Sequence, residues 1–157
     1  MTTVLLETAV EAILDALVAR VTAATVPGQP LDAVRSVIRG DRARSLPELP
    51  SIWIVPETAV TATAARDGGR GIAETWSLSV RVAALVSSDD PVIASRECVR
   101  LAARARTEIL RDRRLGLAYV ADTTSTEFQP AAPSENNVLH WAAATVTVRF
   151  STREEMA

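Results

Sequence analysis

The hydrophobic positions along the chain follow two periods. Over Thr3–Ala24, Leu6, Val10, Ile13, Leu17 and Val21 recur at helical spacing, and Leu14 widens the stripe. Glu7, Glu11 and Asp15 lie toward the other side. This predicts a first helix that faces a core. Glu7 and Glu11 suit the positive end of its dipole, and Pro27-Gly28 ends it. Over Trp76–Val86 the period shortens to two. Trp76, Leu78, Val80, Val82, Ala84 and Val86 share one face, and Thr75, Ser77, Ser79 and Arg81 share the other. Such alternation belongs to an antiparallel strand covered on one side.

That strand forms the second arm of a long hairpin. The first arm begins at Ile52–Val55, bracketed by Pro50 and Pro56, and continues through Val60–Ala65. Proline beside a strand implies an edge or a bulge. Asp67-Gly-Gly-Arg-Gly71 supplies the tip, with glycines free to take positive φ.

Asp90-Pro91 opens a second helix, with Asp90 as N-cap and Pro91 in the first turn. Ala94, Cys98, Leu101, Ala105 and Ile109 form its apolar stripe, and Arg96, Arg100, Arg104 and Arg111 lie opposite. Gly116 marks a stop. Ala118–Phe128 reads as a strand, Pro130–Asn137 as a loop and Val138–Ser151 as the last strand. An acidic tail from about residue 152 is expected to fray. Val26–Pro50 is the weakest stretch: Leu31–Arg39 fits a short helix slightly better than an extended segment, and Gly40–Pro50 reads as a surface loop. The predicted fold is α+β, an antiparallel sheet of about four strands with two long helices packed on one face, in a single domain spanning 1–157.

Composition narrows the function. Hydrophobic residues make up 48% of the 157 residues and aromatics 4%, so Ala, Val and Leu carry the packing. A single Cys98 and a single His140 exclude an internal disulfide and the common Cys/His zinc sites. The net charge of −2 gives no global attraction to nucleic acid or to an anionic membrane. All 17 basic residues are Arg, forked donors suited to protein contacts. The N-terminal stretch lacks a secretory pattern, and its acidic residues interrupt any membrane-spanning run. The expected setting is the cytosol, unless an assembly carries the chain elsewhere.

Catalysis needs convergent polar groups, and the chain offers few. His140 has no Cys or acidic residue at a ligand or triad spacing. Cys98 sits on an apolar stripe, where cysteine behaves as a small hydrophobe. The 67–71 glycine loop lacks the Lys-Ser/Thr pair of a phosphate loop. Asp89-Asp90 is explained by helix capping. Only Thr123, Thr124, Glu127 and His140 could be assembled into a ligand site. No catalytic, cofactor or metal residue is assigned, and no enzyme activity is expected. Trp76 follows the core register. Trp53 and Trp141 lie off it and are interface candidates, together with Arg66, Asp67 and Arg70 at the hairpin tip and Arg96, Arg100 and Arg104 on the second helix.

The element order carries a resemblance. A helix comes first, then Leu-Pro-Ser-Ile-Trp-Ile-Val-Pro (49–56), a hairpin and a helix after Ser-Asp-Asp-Pro (88–91). The chain closes on strands ending Ala-Ala-Ala-Thr-Val-Thr-Val-Arg-Phe (142–150). This order resembles the tail terminator, or tail completion, proteins of long-tailed bacteriophages. The resemblance implies a non-enzymatic virion subunit without cofactors, assembled in the host cytoplasm and placed at the head-proximal end of the tail. It implies a closed homomeric ring, most often a hexamer, that caps the tail tube, stops its growth and joins the tail to the head connector. Its partners would be further copies of itself, the tail tube protein and a connector or stopper protein. DNA would pass through the lumen without specific binding, and no membrane would be involved. Other neck proteins, such as a stopper or adaptor, and a small ligand-binding or enzymatic α+β domain are the alternative readings.

Overall fold

The computed structural model describes residues 4–66, 71–133 and 139–155. The elements run α1 (Leu6–Ala23), β1 (Ser36–Arg39), a 3₁₀ turn (Gly40–Arg42), β2 (Ser51–Arg66), β3 (Gly71–Ser87), α2 (Pro91–Leu110), β4 (Val120–Pro133) and β5 (Leu139–Glu155). The strands form one sheet in the order β1-β2-β3-β5-β4. β2, β3, β5 and β4 pair antiparallel, and β1 adds a parallel edge beside β2. The sheet is therefore mixed and five-stranded, which corrects the expectation of about four antiparallel strands.

Both helices cover one face. α1 buries Ala9, Ile13, Leu14, Leu17 and Val21, and α2 buries Ala94, Cys98, Leu101, Ala102, Ala105 and Ile109. These side chains share a continuous core with Ile52, Ile54, Leu78, Val80, Val82, Val146, Val148 and Phe150 from the sheet. The period-two pattern decides the orientation: Leu78 pairs with Val148 and Val80 with Val146, so each cross-strand pair delivers two aliphatic groups to the helices. Arg20 Nε donates to the Glu108 carbonyl at 3.0 Å and ties α1 to α2.

The structure departs from the sequence reading at four places. Ser36–Arg39 is a strand, not part of a helix over Leu31–Arg39, because its register against Ser51–Ile54 places Arg39 among carboxylates of α1 and the 3₁₀ turn. β4 continues past Phe128 to Pro133, through the expected loop. It is the outermost strand, with a register shift between Gln129 and Ala132, where a proline can be accommodated. The tail expected to fray from about 152 instead continues β5: Glu154 pairs with Ile72 and Glu155 with Gly71. α2 ends at Leu110, ahead of Gly116.

Candidate interaction surfaces

The face of the sheet opposite the helices carries the alternate positions of each strand. Trp53 pairs with Ala83 and Ala83 with Ala143, while Leu85 pairs with Trp141. The two indoles therefore stand diagonally across β3, and the small residues lie between them. Ala83 and Ala143 are buried although no helix covers them, because the flanking side chains shield them. Trp53, Val55, Arg81, Ala83, Leu85 and Trp141 line a cleft of about 210 Å³. Trp53 Nε1 donates to Ser51 Oγ at 2.9 Å, which satisfies the indole and fixes its edge. Arg81 stands at the lip, with its Nε 2.8 Å from Glu57 Oε1.

A second surface is the outer side of α2. Arg96, Arg100 and Arg104 are exposed there, as the stripe pattern requires. Arg100 is bound to Glu97, with Nε 3.0 Å from Oε2, and this hydrogen bond raises the guanidinium pKa. Arg104 Nη1 donates to the Pro30 carbonyl at 3.0 Å, pinning the segment after α1. At the head of the helix Val92 and Ile93 are 58% and 60% exposed, an apolar pair standing in solvent. Sequence reasoning missed this pair because it falls inside a capping motif; its signal is two branched aliphatics directly after Asp-Asp-Pro.

Two further hollows lie at the margins. One of about 440 Å³ runs between α2 and β4, where Arg106 Nε donates to Ser125 Oγ at 2.7 Å. Another of about 660 Å³ is lined by Val4, Ala73, Leu117, Tyr119 and the end of β5, and burial raises the Tyr119 pKa. Neither gathers a set of acid, base and nucleophile.

The residues once grouped as a ligand site are scattered. Thr123 pairs with Val148 on the helix-covered face, and His140 pairs with Val86 at the other end of that face. Val148 and His140 are eight positions apart along β5, about 26 Å at strand rise. Thr124 and Glu127 point to the open face, opposite Thr147 and Thr145. His140 is buried, and its Nδ1 has no hydrogen-bond partner among the described residues. Cys98 is buried with a raised pKa, first because of desolvation. No group of three or more His, Cys, Asp or Glu side chains suited to a metal ion occurs among the described residues. No described helix is long and apolar enough to cross a membrane. Of the hairpin-tip candidates, Arg66 ends β2, pairing with Ile72, while Asp67 and Arg70 lie outside the described residues.

No protein-family model matches the chain, and no curated protein matches it. Among solved structures, a chain of the virion of a native gene transfer agent particle is similar, with a TM-score of 0.59 at 11% identity. The match covers 88% of this chain and 94% of that one. At this identity the likeness shows a shared fold.

Proposed function

We propose that the chain is a structural protein of a phage-like virion, and within it a ring-forming tail terminator. It caps the tail tube, stops tube growth and joins the tail to the head connector. The observation that carries the reading is the near end-to-end fold likeness to a chain of a gene transfer agent virion. The match covers 88% of this chain and 94% of that one, so it is not a likeness of one shared motif.

The surfaces agree with this role. A closed homomeric ring needs head-to-tail contacts, in which two different patches of the same subunit meet. The uncovered sheet face and the outer side of α2 are two such patches. The dispersion of Thr123, Thr124, Glu127 and His140 supports a non-enzymatic role. The Glu97 carboxylate bound to Arg100, and the Pro30 carbonyl held by Arg104, temper the positive field of α2, which favours contact with protein over retention of DNA. Further copies of the chain, the tube protein and a connector or stopper are the proposed partners, and the head-proximal end of the tail is the proposed location.

Deletion of the gene in a particle-producing host, followed by electron microscopy of the lysate, tests the role. The expected result is tails without a defined head-proximal end and heads that remain unjoined, both restored by the intact gene. Normal, head-bearing tails in the deletion would overturn the reading.

A further inference from the structure

We infer that one subunit's Val92-Ile93 knob docks into the Trp53–Trp141 cleft of a second copy of this chain, and that this contact is the repeating interface of the assembly. The inference rests on the ring-forming reading above and specifies its interface.

The two patches complement each other in shape and polarity. The cleft is apolar and about 210 Å³, floored by Ala83 and walled by Trp53, Val55, Leu85 and Trp141. Two adjacent branched aliphatic side chains suit a hollow of that kind. The knob is held out rigidly. Asp90 Oδ1 accepts from the Val92 N–H at 2.9 Å and caps the helix, so the first turn is fixed before any partner arrives. Val92 and Ile93 are adjacent and both exposed on the first turn of α2, and aromatic side chains such as those walling the cleft are frequent anchors at protein contacts.

Charge is complementary as well. The exposed Asp89 and Asp90 carboxylates stand directly before the knob. Arg81 stands at the lip of the cleft, and its bond to Glu57 occupies Nε and leaves donors to spare. A carboxylate arriving with the knob would meet that guanidinium and complete a charge-assisted pair.

Position also favours a second copy over an unrelated partner. Leu85 and Trp141 of the cleft lie at the end of the sheet where β3 leaves for α2, and the knob opens α2 just beyond that end. Cleft and knob therefore lie toward the same end of the strands but on opposite faces of the sheet. A contact between them is heterologous. Heterologous contacts of this kind build rings when their rotation closes.

The test uses the whole chain and light scattering after size exclusion, at concentrations up to about 1 mM. Ile93→Asp removes the knob; Ile93 is exposed, and an acidic residue in a first helical turn suits the dipole, so this variant folds. Trp141→Asp removes the cleft, and the milder Leu85→Ser repeats that arm if the first change harms folding. Circular dichroism checks each fold. The expected result is self-association of the wild type, weakened by roughly 30-fold or more in each single variant. Mixing a knob variant with a cleft variant should then give a one-to-one dimer that grows no further, since only one intact knob can meet one intact cleft. Variants that associate like the wild type, or mixtures that stay monomeric, overturn the knob-and-cleft contact and leave the ring reading standing. A wild-type chain that stays monomeric throughout overturns both.

Discussion

Arg39 Nη1 lies 2.7 Å from Glu11 Oε2, and through this contact the short strand β1 is fastened to α1. The same guanidinium reaches Asp15 Oδ1 at 3.1 Å and Asp41 Oδ2 at 2.8 Å. Arg39 is buried while Glu11 and Asp15 remain exposed. The Arg39 hydrogen bonds hold the Glu11 carboxyl below its ordinary 4.5 and the Asp41 carboxyl below its ordinary 3.8. A carboxylate with a lowered folded-state pKa contributes stability above its ordinary value and loses it as pH falls through the folded value. The melting temperature of the wild type should therefore drop more steeply between about pH 5 and about pH 3 than that of Arg39→Met. At neutral pH the variant should melt below the wild type, because the guanidinium contacts to Glu11, Asp15 and Asp41 are lost. Parallel pH profiles for the two proteins would show that the cluster is not coupled to folding.

Leu78 is the most informative core position. It lies under the helices and pairs with Val148. Leu78→Asp would place an unpaired carboxylate in that layer, at a cost of about 4 kcal/mol or more. A domain of ordinary stability loses most of its folded margin at that cost. Circular dichroism should show loss of the cooperative melt; an unchanged melting temperature would contradict the placement of Leu78.

The cap of α2 gives a smaller and cleaner effect. Asp90 Oδ1 accepts from Val92 N at 2.9 Å and Ile93 N at 3.4 Å. Asp90→Ala should cost about 1 kcal/mol and lower the melting temperature by about 2–4 °C. Asp90→Ser should recover most of the loss. Equal melting of the Ala variant and the wild type would remove the cap from the account.

Gly40 follows β1 and leaves no room for a side chain. A Cβ there would sit 2.5 Å from Val55 Cγ2 and 3.6 Å from Trp53 Cε3. Valine is stiff about χ1 and cannot swing aside freely. Gly40→Ala should destabilise by about 1–3 kcal/mol through overpacking, measured by urea unfolding. A neutral result would mean that the 3₁₀ turn shifts to admit the methyl group.

The same residues show how far the sequence could be read. The alternation through Leu78, Val80 and Val82 and the stripe through Cys98, Leu101 and Ala105 each have one dominant period, and the structure follows both. β1 lacked such a period. Four residues beside an edge carry too little pattern, and its deciding interaction is between Arg39 and carboxylates distant in sequence, which no local window contains. Pro130 and Pro133 read as loop because proline interrupts a central ladder, yet β4 is an outer strand with a shifted register, where that penalty is absent. Trp53 and Trp141 could be placed off the core register from parity alone. Their convergence around Ala83 could not, because it depends on the pairing of three strands. The knob at Val92-Ile93 was hidden by the helix-start signal that surrounds it.

The most direct test of the proposed role is a cryo-EM map of the head-proximal end of the tail in particles that contain this chain. The account predicts a closed ring of this subunit between the tail tube and the head connector, with DNA or an open channel through its lumen and the helix layer of each copy facing the open sheet of the next. Finding the chain elsewhere, as a single adaptor on the portal or as a protein that never enters the particle, would contradict it.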